Sequence, residues 1–343
     1  MSVTSYFQAL PKVELGVQFE GVVPQRTLLL IADQNDRTSV KGFANTKKLM
    51  QEPDYNHLDA LTDQLAGWVE YPDDLTRMAY DTGVALSKQN IPYAEIGVNP
   101  LLYTQGSMSF EKFIEALYDG ADRAKRGWNV TLTWVLNIPR ADPRRADELT
   151  RWALGATGRK NGVVALGLSG KENLADIAQF ERPFKNVEKK DLPRVIQAGD
   201  VDGATELSEV LSTTNPTRLI GGWGAVDSED VLNELATRQI PVAICPTREL
   251  RYARIAGYED YPLRRLLDAG VQVVFTALLP ELFKTTLGDE YAHAVDAGLV
   301  SVDEAEEIAL NSIRHSLLPA DARAALIEQF EARRAELKAE HLA

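Results

Sequence analysis

Short apolar runs alternate along this chain with longer stretches whose apolar residues recur at helical spacing. A short run that is rich in Val, Ile and Leu and bounded by Gly, Pro or Asn is typical of a buried strand. The pattern predicts eight strands, at residues 11–21, 92–98, 129–138, 162–168, 194–196, 218–220, 240–244 and 271–276. One face of the first run carries Val13, Leu15, Val17 and Phe19, and Gly21 is expected to end that strand.

The stretches between the strands predict helices, at residues 24–88, 110–126, 147–156, 173–184, 204–211, 229–238, 261–269 and 287–342. Pro53 and Pro72 interrupt the first stretch, so we expect several helices there. Asp227 or Ser228 is a candidate N-cap, and Gly270 suits a left-handed residue at a helix end. The alternation predicts an α/β fold, a (β/α)8 TIM barrel with extra helices after strand 1 and at the C-terminus. We expect one domain, residues 1–343, and a doubly wound open sheet is the main alternative.

Composition narrows the classes of partner. The 343 residues are 45% hydrophobic and 25% charged, which is ordinary for a globular protein with one large core. A formal net charge of -13 disfavours a nucleic-acid partner, because such binding depends on clustered Lys and Arg. Cys245 is the one cysteine, so no intrachain disulfide can form. No apolar run is long enough for a bilayer and residues 1–10 lack a signal-peptide pattern, so we expect a cytoplasmic protein without a membrane partner.

Seven short motifs fall at predicted strand ends or on later helices. They are LSGKE at 168–172, QAGD at 197–200, RLIGG at 218–222, CPTREL at 245–250, YPLRRLLDAGV at 261–271, TALLP at 276–280 and NSIRHS at 311–316. In this order they resemble motifs of the adenosine deaminase family, and the first strand resembles that family's opening strand. The resemblance covers nearly the whole chain and implies the same barrel.

The resemblance also implies that the family's catalytic groups are missing. The family binds a catalytic zinc through a His pair on the first strand, a His after strand five and an Asp after strand eight. Those positions are here Gly16, Gln18, Gln197 and Leu278. The family's catalytic His is Gly221, its second Asp is Leu279, and its proton-exchanging Glu is Asp200. The resemblance therefore implies a divergent member with no metal site and no cofactor.

Loss of the metal has a chemical consequence. Without it, water keeps a pKa of about 15.7, and a general base such as Asp200 contributes only ~100- to 10,000-fold. We therefore do not expect deamination of adenosine. The four histidines, His57, His293, His315 and His341, show no ligand-pair spacing, and their packing or surface roles are favoured.

Other catalytic patterns are weak. Cys245 stands at a strand end, but no histidine is near it in sequence and burial is favoured over a nucleophilic role. Residues 167–170 lack the spacing of a nucleophile elbow, so Ser169 is not favoured as a nucleophile. The glycine-rich turn at 221–224 lacks a phosphate-binding fingerprint.

What the sequence leaves is a pocket with altered chemistry. Gly16 and Gly221 are expected to leave room in it. The candidate ligand-binding residues are Gln18, Glu20, Gly170, Glu172, Gln197 and Arg248, and the candidate catalytic residue is Asp200. For Arg248 and Glu249, a salt bridge at the rim is as well supported as a role in ligand binding.

Three functions stay open. The first is a relative inactive as a deaminase that binds a purine-like or other small polar ligand at the barrel mouth. The second is a metal-independent enzyme that uses Asp200 as acid and base. The third is a structural or assembly subunit with no ligand. A homo-oligomer is left open.

Overall fold

Eight parallel strands form a single sheet in sequential order in this computed structural model, which describes residues 2–104, 106, 108–201 and 203–342. The strands are β1 Val13–Glu14, β2 Tyr93–Val98, β3 Thr131–Pro139, β4 Val163–Ser169, β5 Arg194–Ala198, β6 Arg218–Gly221, β7 Val242–Ile244 and β8 Val273–Phe275. The backbone N–H of Gln18 donates to the Leu278 carbonyl at 2.9 Å, and this bond joins the segments that follow β1 and β8. The predicted (β/α)8 TIM barrel is confirmed, because a doubly wound sheet would not run in sequential order.

Helices surround this nearly closed barrel. They are α1 Val3–Ala9, α2 Phe19–Val22, α3 Gln25–Gln34, α4 Phe43–Gln51, α5 Leu58–Ala66, α6 Pro72–Ser87, α7 Phe110–Trp128, α8 Ala146–Leu154, α9 Ala156–Lys160, α10 Glu181–Glu188, α11 Gly203–Thr214, α12 Glu229–Thr237, α13 Pro246–Arg251, α14 Leu263–Asp268, α15 Pro280–Phe283, α16 Leu287–Asp296, α17 Val302–Arg314 and α18 Ala320–Leu342. The extra helices predicted after the first strand are α2 to α6, and those predicted at the C-terminus are α16 to α18. No helix in the described part of the chain is long and apolar enough to cross a bilayer.

Local signals account for several helix ends. Pro72 is the first residue of α6, where its missing N–H costs no hydrogen bond. The Ser228 side chain accepts from the Val231 amide and caps α12, which decides between the two predicted caps. Gly270 follows α14 with a φ of 78°, the left-handed conformation expected of a glycine there.

Two predicted elements are wrong in extent. The first strand stops at Glu14 rather than near Gly21, and Phe19 already begins α2. Gly21 and Val22 both donate to the Gln18 carbonyl at 3.0 Å, so the chain turns into a helix where alternation suggested a strand. Both faces of this segment are buried, so the alternation of apolar and polar residues could not distinguish a strand from a helix here.

The predicted helix over residues 173–184 is also shorter than expected. Two short 3-10 turns, Glu172–Leu174 and Ile177–Phe180, come first, and α10 begins only at Glu181. The Asp176 side chain accepts from the Ala178 amide at 2.8 Å. This local bond competes with helix formation before α10.

Candidate functional site

A cavity of about 580 Å³ opens at the carboxyl ends of the strands, where barrels of this kind place their sites. All seven predicted site residues line it: Gln18, Glu20, Gly170, Glu172, Gln197, Asp200 and Arg248. Gln197 lies near the end of β5 and the others lie in the segments that follow β1, β4, β5 and β7, so only the barrel closure brings them together. None of the four histidines is among the described lining residues.

The deep end of the cavity contains an amide pair. The Asn137 amide nitrogen, on β3, donates to Gln18 Oε1 at 2.8 Å. Glycines make room for this pair: a Cβ at Gly97 would lie 2.5 Å from Gln18 Oε1, and one at Gly167 would overlap Asn137 Oδ1. The amide groups of this pair that are not bonded to each other can donate hydrogen bonds to a polar ligand or accept them from it.

A buried ion pair lines the same cavity. Arg248 Nη1 is 2.9 Å from Asp200 Oδ1 and 2.8 Å from Glu249 Oε1, and Arg254 Nη1 is 2.8 Å from Glu249 Oε2. Arg248 is 7% exposed and Glu249 3% exposed, so a salt bridge at the rim is the wrong description of this pair. Burial raises the pKa of Asp200 to about 6, although the positive charge of Arg248 acts to lower it.

Two carboxyl groups hold the loop that carries Asp200. Glu172 accepts from the amides of Asp200 and Val201, each at 2.7 Å, and Glu206 Oε2 accepts from the Gly199 amide at 3.1 Å. Burial and a hydrogen bond with Glu172 raise the pKa of Glu206 to about 9, so Glu206 is protonated near neutral pH. Glu172 therefore lines the cavity while its carboxylate orients the loop after β5.

Arg140 completes this support. Its Nη2 lies 2.7 Å from Glu206 Oε1 and donates to the Gln197 carbonyl at 2.8 Å. The backbone of Gln197 is thereby held, while its side chain lines the cavity. Gly170 turns the chain at the end of β4 with a φ of 102°, and its contribution to the cavity wall comes from backbone alone.

Glu20 forms part of another wall. Its Oε1 accepts from the Tyr103 hydroxyl at 2.8 Å, and the residue is 7% exposed. Burial raises the pKa of this carboxyl to about 7.

The glycines at two family positions do not leave empty space. A Cβ at Gly16 would lie 3.0 Å from Thr276 Oγ1, and one at Gly221 would lie 2.5 Å from Asp200 Oδ1. Gly221 also has a φ of 96°, which disfavours any other residue. The expectation that these glycines leave room is wrong, because Thr276 and Asp200 occupy the space.

The described residues contain no group of three or more His, Cys, Asp or Glu side chains that could hold a metal ion. Cys245 is buried, and burial raises the pKa of its thiol well above the usual range. Its Sγ lies 3.7 Å from the Ala277 carbonyl oxygen. The packing role expected for Cys245 agrees with this environment.

Sequence reasoning missed Asn137 and Arg140. A signal was available for both. Asn137 interrupts the apolar run of β3, and Arg140 follows Pro139, where that strand ends. Polar residues at a strand end of a barrel are candidates for the site, and the same rule that selected Gln197 would have selected these two.

Comparisons with known proteins agree with the fold. Residues 11–333 match the family model for adenosine deaminase. An aminodeoxyfutalosine deaminase of Streptomyces avermitilis is 26% identical over 331 residues, which cover 95% of this chain and 92% of that protein. The crystal structure of adenine deaminase from Arthrobacter aurescens superposes with a TM-score of 0.85 and 21% identity, over 94% of this chain and 99% of that one.

A zinc-bound amidohydrolase from Burkholderia ambifaria superposes with a TM-score of 0.89 and 20% identity, over 98% of this chain and 94% of that one. At these identities the superpositions establish the fold, and the family model spans nearly all of the chain. The chain belongs to the adenosine deaminase family.

Proposed function

We propose that this family member does not deaminate adenosine and instead binds a purine-like or other small polar ligand in the barrel cavity without a metal. The observation that carries the proposal is the deep end of the cavity. An amide pair, Gln18 with Asn137, and a buried Asp200–Arg248 ion pair line the same cavity of about 580 Å³. Cavities of 300 to 1,000 Å³ are typical of small-molecule sites.

The residues at the family's metal positions do not fit a zinc ion. Zinc is bound by Cys, His, Asp or Glu side chains. Gly16 and Leu278 offer no side-chain donor, and Gln18 offers an amide already bonded to Asn137. The acid at the family's proton-exchanging position, Asp200, is paired with Arg248.

The amides support a purine-like ligand. Asn and Gln side chains pair with the hydrogen-bonding edge of adenine, donating to the ring nitrogen N7 and accepting from the exocyclic amino group. Adenine deaminase is the name of one protein that shares the fold. Gln18, Asn137 and Gln197 would supply such contacts from the deep end of the cavity.

One observation favours the enzyme alternative. The pKa of Asp200, raised to about 6 by burial, suits an acid–base group near neutral pH. Its carboxylate is 2.9 Å from a guanidinium that is itself buried, which favours a constant ion pair over proton exchange. The subunit alternative has less support: Trp223 packs against Tyr261, 5.5 Å between ring centroids, and is not among the residues that line the cavity.

Three measurements test the proposal. Plasma mass spectrometry should find no stoichiometric zinc, and the absorbance assay for adenosine to inosine should show no turnover with or without added zinc. Calorimetry with adenine and adenosine should detect binding, and Gln197→Leu should weaken it by roughly 5- to 150-fold, since an unpaired buried group costs ~1–3 kcal/mol.

Gln179→Leu, an exposed position outside the cavity, is the matched control and should bind as the parent protein does. About one zinc per chain that survives a chelator, with steady turnover lost in Asp200→Asn, would overturn the proposal. Equal affinity in the parent and Gln197→Leu would place the ligand elsewhere.

A further inference from the structure

The amide pair of the cavity, Gln18 with Asn137, has one internal hydrogen bond and two free ends. Asn137 Nδ2 donates to Gln18 Oε1 at 2.8 Å, and neither side chain makes a second hydrogen bond to a described residue. Gln18 Nε2 and Asn137 Oδ1 are therefore unbonded. Neither atom is sealed from solvent, and both residues line the cavity. The pair thus offers a ligand one donor and one acceptor.

The surroundings of the pair do not fix which free end is the donor. Both amides lie against glycine, at Gly97 on β2 and Gly167 on β4, where no side chain distinguishes an amide oxygen from an amide nitrogen. The last torsion of Asn and Gln is roughly two-fold, so each amide can turn over and fill nearly the same space. If both turn over, Gln18 Nε2 donates to Asn137 Oδ1, and the pair still has its one internal bond.

The internal bond makes the two amides turn together. If one amide turned alone, two oxygens or two amino groups would face each other, and Asn137, which is 4% exposed, would lose the partner that a buried amide needs. The pair therefore has two states. In one state Gln18 supplies the free donor and Asn137 the free acceptor, and in the other state these roles are exchanged.

Two kinds of purine match these two states. Adenine has an amino donor on C6 beside the ring acceptor N1, whereas hypoxanthine has a carbonyl acceptor on C6 beside an N1–H donor. The same edge thus carries a donor and an acceptor in opposite order. Each order is complementary to one state of the amide pair, and neither requires the pair to give up its internal bond.

We propose that Gln18 and Asn137 are the specificity-determining residues of this cavity and that they turn over together, so that 6-aminopurines and 6-oxopurines bind with nearly equal affinity. This inference rests on the proposed function and specifies the class of ligand. A purine whose C6 substituent and N1 are both acceptors is disfavoured, because one acceptor would face an amide oxygen in either state.

The test compares three uncharged nucleosides that differ only at this edge. Calorimetry would measure adenosine, inosine and 6-methoxypurine riboside, whose methoxy oxygen and N1 are both acceptors. We expect the dissociation constants of adenosine and inosine to agree within about 3-fold. The 6-methoxypurine riboside should bind roughly 5- to 150-fold more weakly than either, because one hydrogen bond is lost and an acceptor is left unpaired.

A double variant assigns the preference to the amide pair. Gln18→Met with Asn137→Leu replaces both partners by apolar groups of similar shape, a change that can be nearly neutral for stability. In this variant adenosine and inosine should lose their advantage and bind as weakly as 6-methoxypurine riboside. Asn233→Leu, at an exposed position of α12 that does not line the cavity, is the control and should keep the preference.

The outcomes separate the two proposals. If adenosine and inosine differ by about 10-fold or more, the amide pair has one fixed orientation, and the inference is wrong while the proposed function stands. The same conclusion follows if 6-methoxypurine riboside binds as tightly as the other two, or if the preference survives in the double variant. If none of the three nucleosides binds, the proposed function is overturned, and the inference with it.

Discussion

At the scale of single residues, the Asp200–Arg248 pair is the feature that most distinguishes this site. Both residues are more than nine-tenths buried, and their ends lie 2.9 Å apart. Removing one partner of such a pair leaves an uncompensated charge in the interior, whereas removing both can be nearly neutral.

We therefore expect Arg248→Met to destabilise the protein by about 3–5 kcal/mol in urea unfolding. Asp200→Asn combined with Arg248→Met should recover most of that loss. Arg254→Met is the matched control, because Arg254 is more exposed and Glu249 would keep Arg248 as a partner. A cost for Arg248→Met no greater than that for Arg254→Met would show that the pair contributes little.

At the scale of elements, the loop between β5 and α11 is positioned by carboxyl groups from both sides. Glu172, after β4, accepts two amides of the loop, and Glu206, on α11, accepts a third. The loop contains Asp200, so the hydrogen bonds that fix the loop backbone also fix the position of the Asp200 carboxylate.

Replacing Glu172 by Gln removes one acceptor oxygen and should leave one loop amide without its partner. We expect faster amide hydrogen exchange at residues 199–201 and a loss of about 1–3 kcal/mol of stability. Glu181→Gln, which alters an exposed pair with Lys185, should leave exchange in the loop unchanged. Unchanged protection of the loop in Glu172→Gln would mean that Glu206 and Arg140 suffice to hold it.

At the scale of the whole molecule, buried carboxyl groups link stability to pH. Burial raises the pKa to about 7 for Glu14, Glu20 and Glu290, to about 6 for Asp200 and to about 9 for Glu206. Between pH 5 and 7 the folded chain keeps protons that the unfolded chain has released. The free energy of unfolding should therefore fall as pH rises through this window.

Other buried groups oppose this trend only in part. Burial lowers the pKa of His293 and His315. At a pH below the ordinary histidine pKa the unfolded chain therefore binds more protons than the folded chain, and these two groups make stability rise with pH. Burial also lowers the pKa of Lys12 to about 7, which favours the folded chain as pH rises above that value. The carboxyl groups outnumber these three, so we expect higher stability at pH 5.5 than at pH 7.5.

Glu206→Gln isolates one of these protons, because an amide can replace the protonated carboxyl without titrating. We expect the slope of stability against pH between 5 and 8 to become shallower by about 1.4 kcal/mol per pH unit. Glu209→Gln, at an exposed position on the same helix, should leave the slope unchanged. Identical slopes in all three proteins would contradict the raised pKa of Glu206.

The sequence by itself determined the barrel and the place of the site. Short buried strands between helices predict parallel strands, and the carboxyl ends of parallel strands converge, so Gln18, Gln197 and Arg248 could be assigned to one region without coordinates. The same rule could have included Asn137 and Arg140, whose polar character at the end of β3 is visible in the sequence.

Only the tertiary structure decided what those side chains do, because their partners lie far away in the chain. Asp200 occupies the space at Gly221, Glu206 on α11 lies 2.7 Å from Arg140 at the end of β3, and the Gln18–Leu278 hydrogen bond accompanies the turn that ends β1 early. Periodicity describes how a residue relates to its neighbours in sequence, and none of these contacts is between such neighbours. The buried position of Arg248 and its ion pair with Asp200 follow from packing between separate elements.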